Sequence, residues 1–334
     1  MKIGLNTDSV GQLTLDGTLD LAAELGLDHV EFATGAWSTA PHIDIDRLLD
    51  SDGARRELLA KLADRGLTIS ALTCSGNPLH PGPSGREHDQ VARRTIALAP
   101  LLGVDRVVMM SGLPGGPGDA NPNWITVSWP PETTQILDWQ WTEVVLPYWR
   151  DLVAHSRDRG VPKLALEMHA HQAVYNVPTL LRLREEVGPV VGANFDPSHL
   201  MWMGADPLAA IETLGEAIYH VHAKDTRLEP SRQALTSRLE TLPVMAAKER
   251  SWNYVTLGYG HDEAFWRAAE NPDRSRGGPH SSGDKAFDLM ITSEIVAPGT
   301  FVIRNFEASD FGNSTAPVGL QDAVPAPSWS ITSR

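Results

Sequence analysis

Lys163-Leu164-Ala165-Leu166-Glu167-Met168-His169, Val190-Val191-Gly192-Ala193-Asn194-Phe195-Asp196-Pro197-Ser198-His199 and Ile218-Tyr219-His220-Val221-His222-Ala223-Lys224-Asp225 share one plan. Each is an apolar run ending on a side chain that can hold a divalent cation: Glu167, Asp196 and His222. Segments long enough for a helix separate the three. Apolar runs alternating with helices read as parallel strands buried on both faces. Two carboxylates and an imidazole at successive strand ends converge on one point only if the strands close into a barrel, whose C-terminal rim gathers such residues.

The same plan extends outward along the chain. Strand-like runs cover residues 2–6, 29–33, 67–73, 106–110, 163–168, 190–195 and 218–222. Helical patterns between them stop at Gly26, Gly66, Gly103, Gly160 and Gly215, glycine being a frequent stop just past a last helical turn. Short connections between alternating strands and helices imply right-handed parallel crossovers. Seven such units are visible, and an eighth strand would close a (β/α)8 TIM barrel. A doubly wound open sheet is the rival, and the lack of a Gly-rich phosphate loop after the first strand counts against it. The expected organisation is a catalytic barrel over residues 1–270, with insertions at 112–141 and 227–259. An atypical C-terminal segment, 271–334, supplies a possible eighth strand and a loosely ordered tail. Long insertions after barrel strands are expected to cover a site.

A net charge of −14 over 334 residues repels phosphate backbones and argues against nucleic acid as a partner. Cys74 is the only cysteine, so no internal disulfide can form. The opening Met1-Lys2-Ile3-Gly4-Leu5-Asn6 lacks the apolar core of a signal peptide, and no run approaches the roughly 18 apolar residues of a membrane helix. A cytoplasmic protein without a membrane partner is the expectation.

Glu167, Asp196 and His222 offer two hard oxygens and one nitrogen, a set that suits Mn²⁺, Mg²⁺, Co²⁺, Fe²⁺ or Zn²⁺. His199 lies three residues past Asp196 and faces the same mouth, in reach of substrate. His220, two residues before His222, shares its strand face and is expected to be a packed neutral histidine. Lys224 is a candidate for substrate oxygens, as is Asp225, unless the two pair with each other. His169 and His171 follow Glu167 directly, and a histidine beside a metal-bound carboxylate suits general acid–base work. Trp37, Trp129, Trp139 and Trp141 are candidates for an aromatic wall against a sugar ring, although loop tryptophans also serve to pack a loop onto its barrel. A divalent ion in such a site polarises a carbonyl and acidifies the neighbouring C–H. Proton return then gives isomerisation or epimerisation, and loss of a β-substituent gives elimination.

With these residues in view, the chain resembles the xylose isomerase-like TIM barrel superfamily, the sugar phosphate isomerase/epimerase group. The resemblance rests on Leu166-Glu167-Met168-His169, Asn194-Phe195-Asp196-Pro197-Ser198-His199, His220-Val221-His222-Ala223-Lys224-Asp225 and the segment Ser70–His80, and covers about residues 1–267. It implies Glu167, Asp196 and His222 as metal ligands, His199 as a substrate contact, and a fourth ligand on a glutamate after the eighth strand that doubles as acid–base. Two glutamates compete for that place. Glu294 follows Leu289-Met290-Ile291-Thr292-Ser293, whereas Glu307 follows Phe301-Val302-Ile303-Arg304-Asn305-Phe306 and has Asp310 three residues later, the spacing that makes it preferred. The resemblance thus implies a sugar isomerase or epimerase that removes a proton beside a carbonyl through an enediolate held on the metal, Mn²⁺ being the leading ion and Mg²⁺, Co²⁺ or Zn²⁺ the alternatives. Glu167, His169 and Glu307 would be catalytic, and His199, Lys224, Trp129 and His171 would bind substrate. The insertions also resemble the α subunit of the C-glycoside deglycosidases, lyases that open 3-oxo-glycosides by elimination in complex with a small second subunit. A homo-oligomer is the other assembly expected. An abasic-site endonuclease of the same superfamily is disfavoured by the negative charge.

Overall fold

The computed structural model describes residues 2–270 and 289–291. Strands β1 (Ile3–Asn6), β2 (His29–Ala33), β3 (Thr68–Thr73), β4 (Arg106–Met109), β5 (Lys163–Glu167), β6 (Val191–Phe195) and β7 (Ile218–Ala223) follow one another around a parallel sheet. Two further strands, β8 (Asp225–Leu228) and β9 (Trp252–Val255), form a separate antiparallel pair. The last, β10 (Leu289–Ile291), pairs with β1 on one side and β7 on the other and closes an eight-stranded barrel. The expected (β/α)8 barrel is therefore the architecture, and its eighth place is taken by the segment leading toward Glu294. Glu294 and Glu307 themselves lie outside the described residues, as does nearly all of the expected 271–334 tail.

Local chemistry explains where the outer helices start and stop. Helix α1 (Leu15–Glu24) begins a turn earlier than its apolar pattern suggests, because the Thr14 side chain accepts from the Gly17 N–H and caps it. It ends where Gly26 takes a left-handed φ of 68°. Helices α2 (Ile45–Asp50) and α3 (Asp52–Ala63) are capped by Asp44 and Ser51, and α4 (Pro83–Leu98) starts with proline in its first turn. In the first insertion, α5 (Pro131–Trp139) runs through a π-helical turn at Gln140–Val145 into α6 (Leu146–Asp158). Helix α7 (Val177–Val187) carries a capping box between Asn176 and Thr179. Helices α8 (Pro197–Met203) and α9 (Pro207–Leu214) are capped by Asp196 and Asp206. The second insertion holds β8, α10 (Pro230–Thr236) and β9, followed by α11 (Glu263–Glu270).

Strand alternation sorts the side chains into two layers. Leu164 and Leu166 point outward into the large core shared with the helices, as do Val191 and Ala193. Ala71, Val108 and Ala165 point inward and meet the ring of Tyr219 on the barrel axis. By the same period, Glu167 follows Ala165 to the inside. Two bulges adjust this pattern. Val30 pairs with Ile69 but Glu31 pairs with Ala71, and Ala193 pairs with Ile218 but Asn194 pairs with His220. Ser70 and Tyr219 are the extra residues, and the second bulge gives the Tyr219 ring a place beside Gly192. A Cβ on Gly192 would lie 2.4 Å from that ring. Bulges beside a site commonly re-aim its side chains, and here they bracket Glu31 and His220.

Candidate metal centre

The inner layer at the C-terminal ends of the strands is polar and almost wholly buried. Glu31 comes from β2, Glu167 from β5, Asn194 from β6, His220 and His222 from β7, and Asp196, His199 and Lys224 from the segments that follow; each is at most 5% exposed. Glu167 Oε1 is 2.9 Å from His199 Nε2. Its Oε2 accepts from Asn194 Nδ2 at 3.0 Å and lies 3.2 Å from His222 Nδ1. Asp196 spends one oxygen on the fold, since Oδ1 accepts from the Ser198 N–H at 2.9 Å and the Ser198 hydroxyl at 2.6 Å and so caps α8. Its Oδ2 is left facing Lys224 Nζ at 3.0 Å and His199 Nε2 at 3.4 Å, neither at a hydrogen-bonding angle. Glu31 Oε2 receives both histidines of β7, His220 Nε2 at 2.8 Å and His222 Nε2 at 3.0 Å.

Two sets of metal-competent atoms result, Glu31/His220/His222 and Glu167/Asp196/His199, each with its atoms within 4.8 Å of one another. The three ligands expected from sequence fall across both sets, joined where His222 meets Glu167. Burial alone would raise the Glu31 carboxyl; the charge on His222, with N–H bonds from both histidines, outweighs it and holds the group down at about 2. Burial likewise opposes ionisation of Glu167 and Asp196. Their neighbours His199, His222 and Lys224 nevertheless keep both well below the usual carboxylate range. Conversely, burial disfavours a charged His222, and Glu31 and Glu167 override it, lifting the imidazole to about 10. Among the described residues, three buried carboxylates and one lysine leave two negative charges to be balanced in an interior where unpaired charge is costly. In the absence of an ion, protons on imidazoles supply that balance. A divalent cation would supply it with the same donor atoms, so the residues present fit the group.

Residues 19–269 match the xylose isomerase-like TIM barrel family. The chain belongs to that family. An uncharacterized Bacillus subtilis protein, YfiH, is 51% identical over 270 residues, 80% of this chain and 86% of YfiH. Among solved structures, the probable 3-DHS dehydratase AsbF of Bacillus anthracis superposes with a TM-score of 0.57 at 18% identity, over 88% of this chain and 93% of that one. An L-ribulose 3-epimerase superposes with a TM-score of 0.53 at 19% identity, over 88% and 82%. At such identities the two structures show a shared fold.

Within this xylose isomerase-like barrel the other expected site residues have distinct surroundings. The His169 ring lies against that of His199, with centroids 4.1 Å apart, and His171 is exposed with a left-handed φ of 60°. Lys224 turns inward to Asp196 and His199, and its ammonium lies 4.4 Å from the centre of the Tyr254 ring. Asp225 does not pair with Lys224; it binds the turn at residues 258–261. Trp129 is 75% exposed on the loop after β4, and Trp37 is exposed after β2. Trp141 is in the core, where the Arg182 guanidinium covers it. A different group of aromatics packs near His199. Trp202 and Trp252 stack at 4.6 Å, Trp252 meets Tyr254 edge-on, and the Tyr254 hydroxyl is 2.8 Å from His199 Nδ1.

Sequence reasoning passed over Glu31, Asn194 and Tyr254. The first two had a signal: a carboxylate and an amide inside otherwise apolar strand runs must find partners in the interior. Tyr254 had none, because it is brought to His199 by a hairpin that no local pattern announces. Among the described residues no helix is long and apolar enough to cross a membrane.

Proposed function

We propose that this protein is a divalent-metal-dependent isomerase or epimerase of a sugar or keto-sugar, working by proton removal from the carbon beside a carbonyl. The observation that carries the reading is the buried convergence of Glu167, Asp196 and His222, with more negative charge among the described residues than the surrounding lysine balances. Those three residues would hold the ion, with a fourth ligand and second acid–base group from Glu307 or from Glu294, the glutamate nearer β10. Mn²⁺ leads, and Mg²⁺, Co²⁺ and Zn²⁺ suit the same oxygen and nitrogen donors. When bound, the ion supplies Lewis acidity that makes a C–H beside a carbonyl removable.

The chain's own groups do the remaining work. Glu167, held ionised by its neighbours, takes the proton. His169, against the His199 ring, passes it onward or returns it. His199 and Lys224 direct N–H groups at substrate oxygens, while Trp129 and His171, on the loops after β4 and β5, meet the rest of the sugar. A lyase acting on 3-oxo-glycosides would share the proton removal and is favoured by one observation. Lys224 and Tyr254 stand together beside His199, and either is an acid that a leaving group could use. The small second subunit belongs to that reading, and a monomer or homo-oligomer to the first.

Elemental analysis of the wild type and of Glu167→Ala, followed by incubation of the metal-loaded protein with ketoses in D₂O, tests the proposal. Expected are a bound divalent ion, its loss in the variant, and deuterium at the carbon beside the carbonyl. Aglycone release from a 3-oxo-C-glycoside without exchange into ketoses would replace isomerase by lyase. A wild type that binds no divalent ion would end both readings.

A further inference from the structure

We infer that Glu31 is a positioning residue that fixes which nitrogen of His222 meets the cation, an assignment that rests on the metal-dependent function just proposed. Glu31 sits in the middle of β2 at 0% exposure, and the bulge between Val30 and Glu31 sets its register against β3. Its carboxylate oxygens are hydrogen-bond acceptors. Both imidazoles of β7 direct Nε2 at its Oε2, His220 at 2.8 Å and His222 at 3.0 Å, and each of these nitrogens must therefore carry hydrogen. Asn6 Nδ2 approaches the other oxygen at 3.4 Å.

The consequence for His222 follows from its second nitrogen. With Nε2 hydrogen-bonded to Glu31, the neutral ring has its lone pair on Nδ1. Nδ1 is also the nitrogen directed at the expected ligands: it lies 3.2 Å from Glu167 Oε2 and 3.0 Å from Asn194 Nδ2, the amide that also donates to Glu167. Glu31, His222 and the cation would then form a carboxylate–histidine–metal series, in which the outer carboxylate selects the tautomer and the ring angle. His220 completes the device from below. Its N–H on the same oxygen stops the Glu31 carboxylate from turning away. The pair explains why a charged residue occupies the middle of a wholly buried strand.

The test uses the full-length protein and needs no substrate. Long-range ¹H–¹⁵N spectra of the zinc-loaded wild type should show His222 protonated at Nε2 and metal-bound at Nδ1. Titration calorimetry with Co²⁺ should give one high-affinity site in the wild type. In Glu31→Gln the affinity should be weaker by about 10- to 100-fold at unchanged stoichiometry. Circular dichroism melting of the variant establishes that it is folded, and the wild-type spectra stand even if it is not. Zinc on Nε2 of His222, or an unchanged Co²⁺ affinity in folded Glu31→Gln, would overturn the inference while leaving the metal-dependent function intact. Loss of a second bound equivalent in the variant would also overturn it, since Glu31 would then be a ligand. A wild type that takes up neither ion removes the function itself.

Discussion

Substituting asparagine for Asp225 should release the turn at residues 258–261, which follows β9 at the open end of the β8–β9 pair. The Asp225 carboxylate is fully buried and collects five donors. Oδ2 accepts from the N–H groups of Gly258, Gly260 and His261, each at 3.0 Å. Oδ1 accepts from the Thr226 N–H at 2.7 Å and lies 2.8 Å from His261 Nδ1. Asparagine keeps the shape but has one oxygen. Its least costly placement keeps that oxygen on the three turn amides and puts the NH₂ toward Thr226 and His261, where the imidazole can switch to accepting. One buried donor, the Thr226 N–H, then loses its acceptor at a cost of about 1–3 kcal/mol. Three bonds also fall from charge-assisted to neutral strength, at about 1 kcal/mol or somewhat less each. The sum is about 3–6 kcal/mol, capped by whatever it costs the turn to open locally. Amide hydrogen exchange should report lost protection at Gly258, Gly260 and His261, and urea denaturation should report the part that reaches global stability. If Asp225→Asn shifts stability by less than about 1 kcal/mol and leaves those amides protected, the five-donor account of the turn is wrong.

Two further outcomes follow from the site. Tyr254→Phe removes a hydroxyl 2.8 Å from His199 Nδ1. The loss of one such bond, about 1–1.5 kcal/mol, predicts a fall of roughly 5- to 10-fold in kcat/KM on any ketose that the wild type turns over, carried by kcat; an unchanged kcat would show that the hydroxyl only packs. The metal-free protein should lose stability in alkali. His222 is raised from 6.5 to about 10 in the folded state, so its contribution is complete below 6.5 and disappears as pH rises through about 10. Calorimetric Tm should therefore drop between pH 7 and 10 with a chelator present. It should drop much less with a divalent ion bound, because the ion replaces the proton; equal slopes would show that His222 is not at the binding site.

Seven of the eight strands were legible because buried parallel strands are apolar on both faces, and Glu167, Asp196 and His222 stood out as polar residues at their ends. Glu31 was harder. It lies inside the run His29-Val30-Glu31-Phe32-Ala33, and its inward direction relative to β3 is set by a bulge that no one-residue pattern encodes. Of the eighth strand only Leu289–Ile291 is described, and a three-residue apolar run shows no alternation to mark it against the Phe301–Phe306 run. The roles of the tryptophans could not be sorted in the sequence, for a different reason. Composition shows that a loop is aromatic, but only packing distinguishes Trp141, closed in the core, from Trp129, open to solvent. Lys224 and Asp225 are adjacent in sequence, which left pairing with each other open as an alternative; at the break between β7 and β8 one turns to Asp196 and the other to the 258–261 turn.

The pairing of β10 between β1 and β7 places the barrel's last joint between Ile3 and Leu289, and between Val221 and Leu289. A ribosome adding about 5–20 residues per second delivers β1 long before its final neighbour. Throughout that interval the nascent barrel has two bare strand edges, the kind of surface that recruits other chains. Shortening the protein ahead of residue 289 would make that transient state permanent. Such a truncation should therefore be judged first by its aggregation, before any activity it lacks is credited to missing catalytic groups.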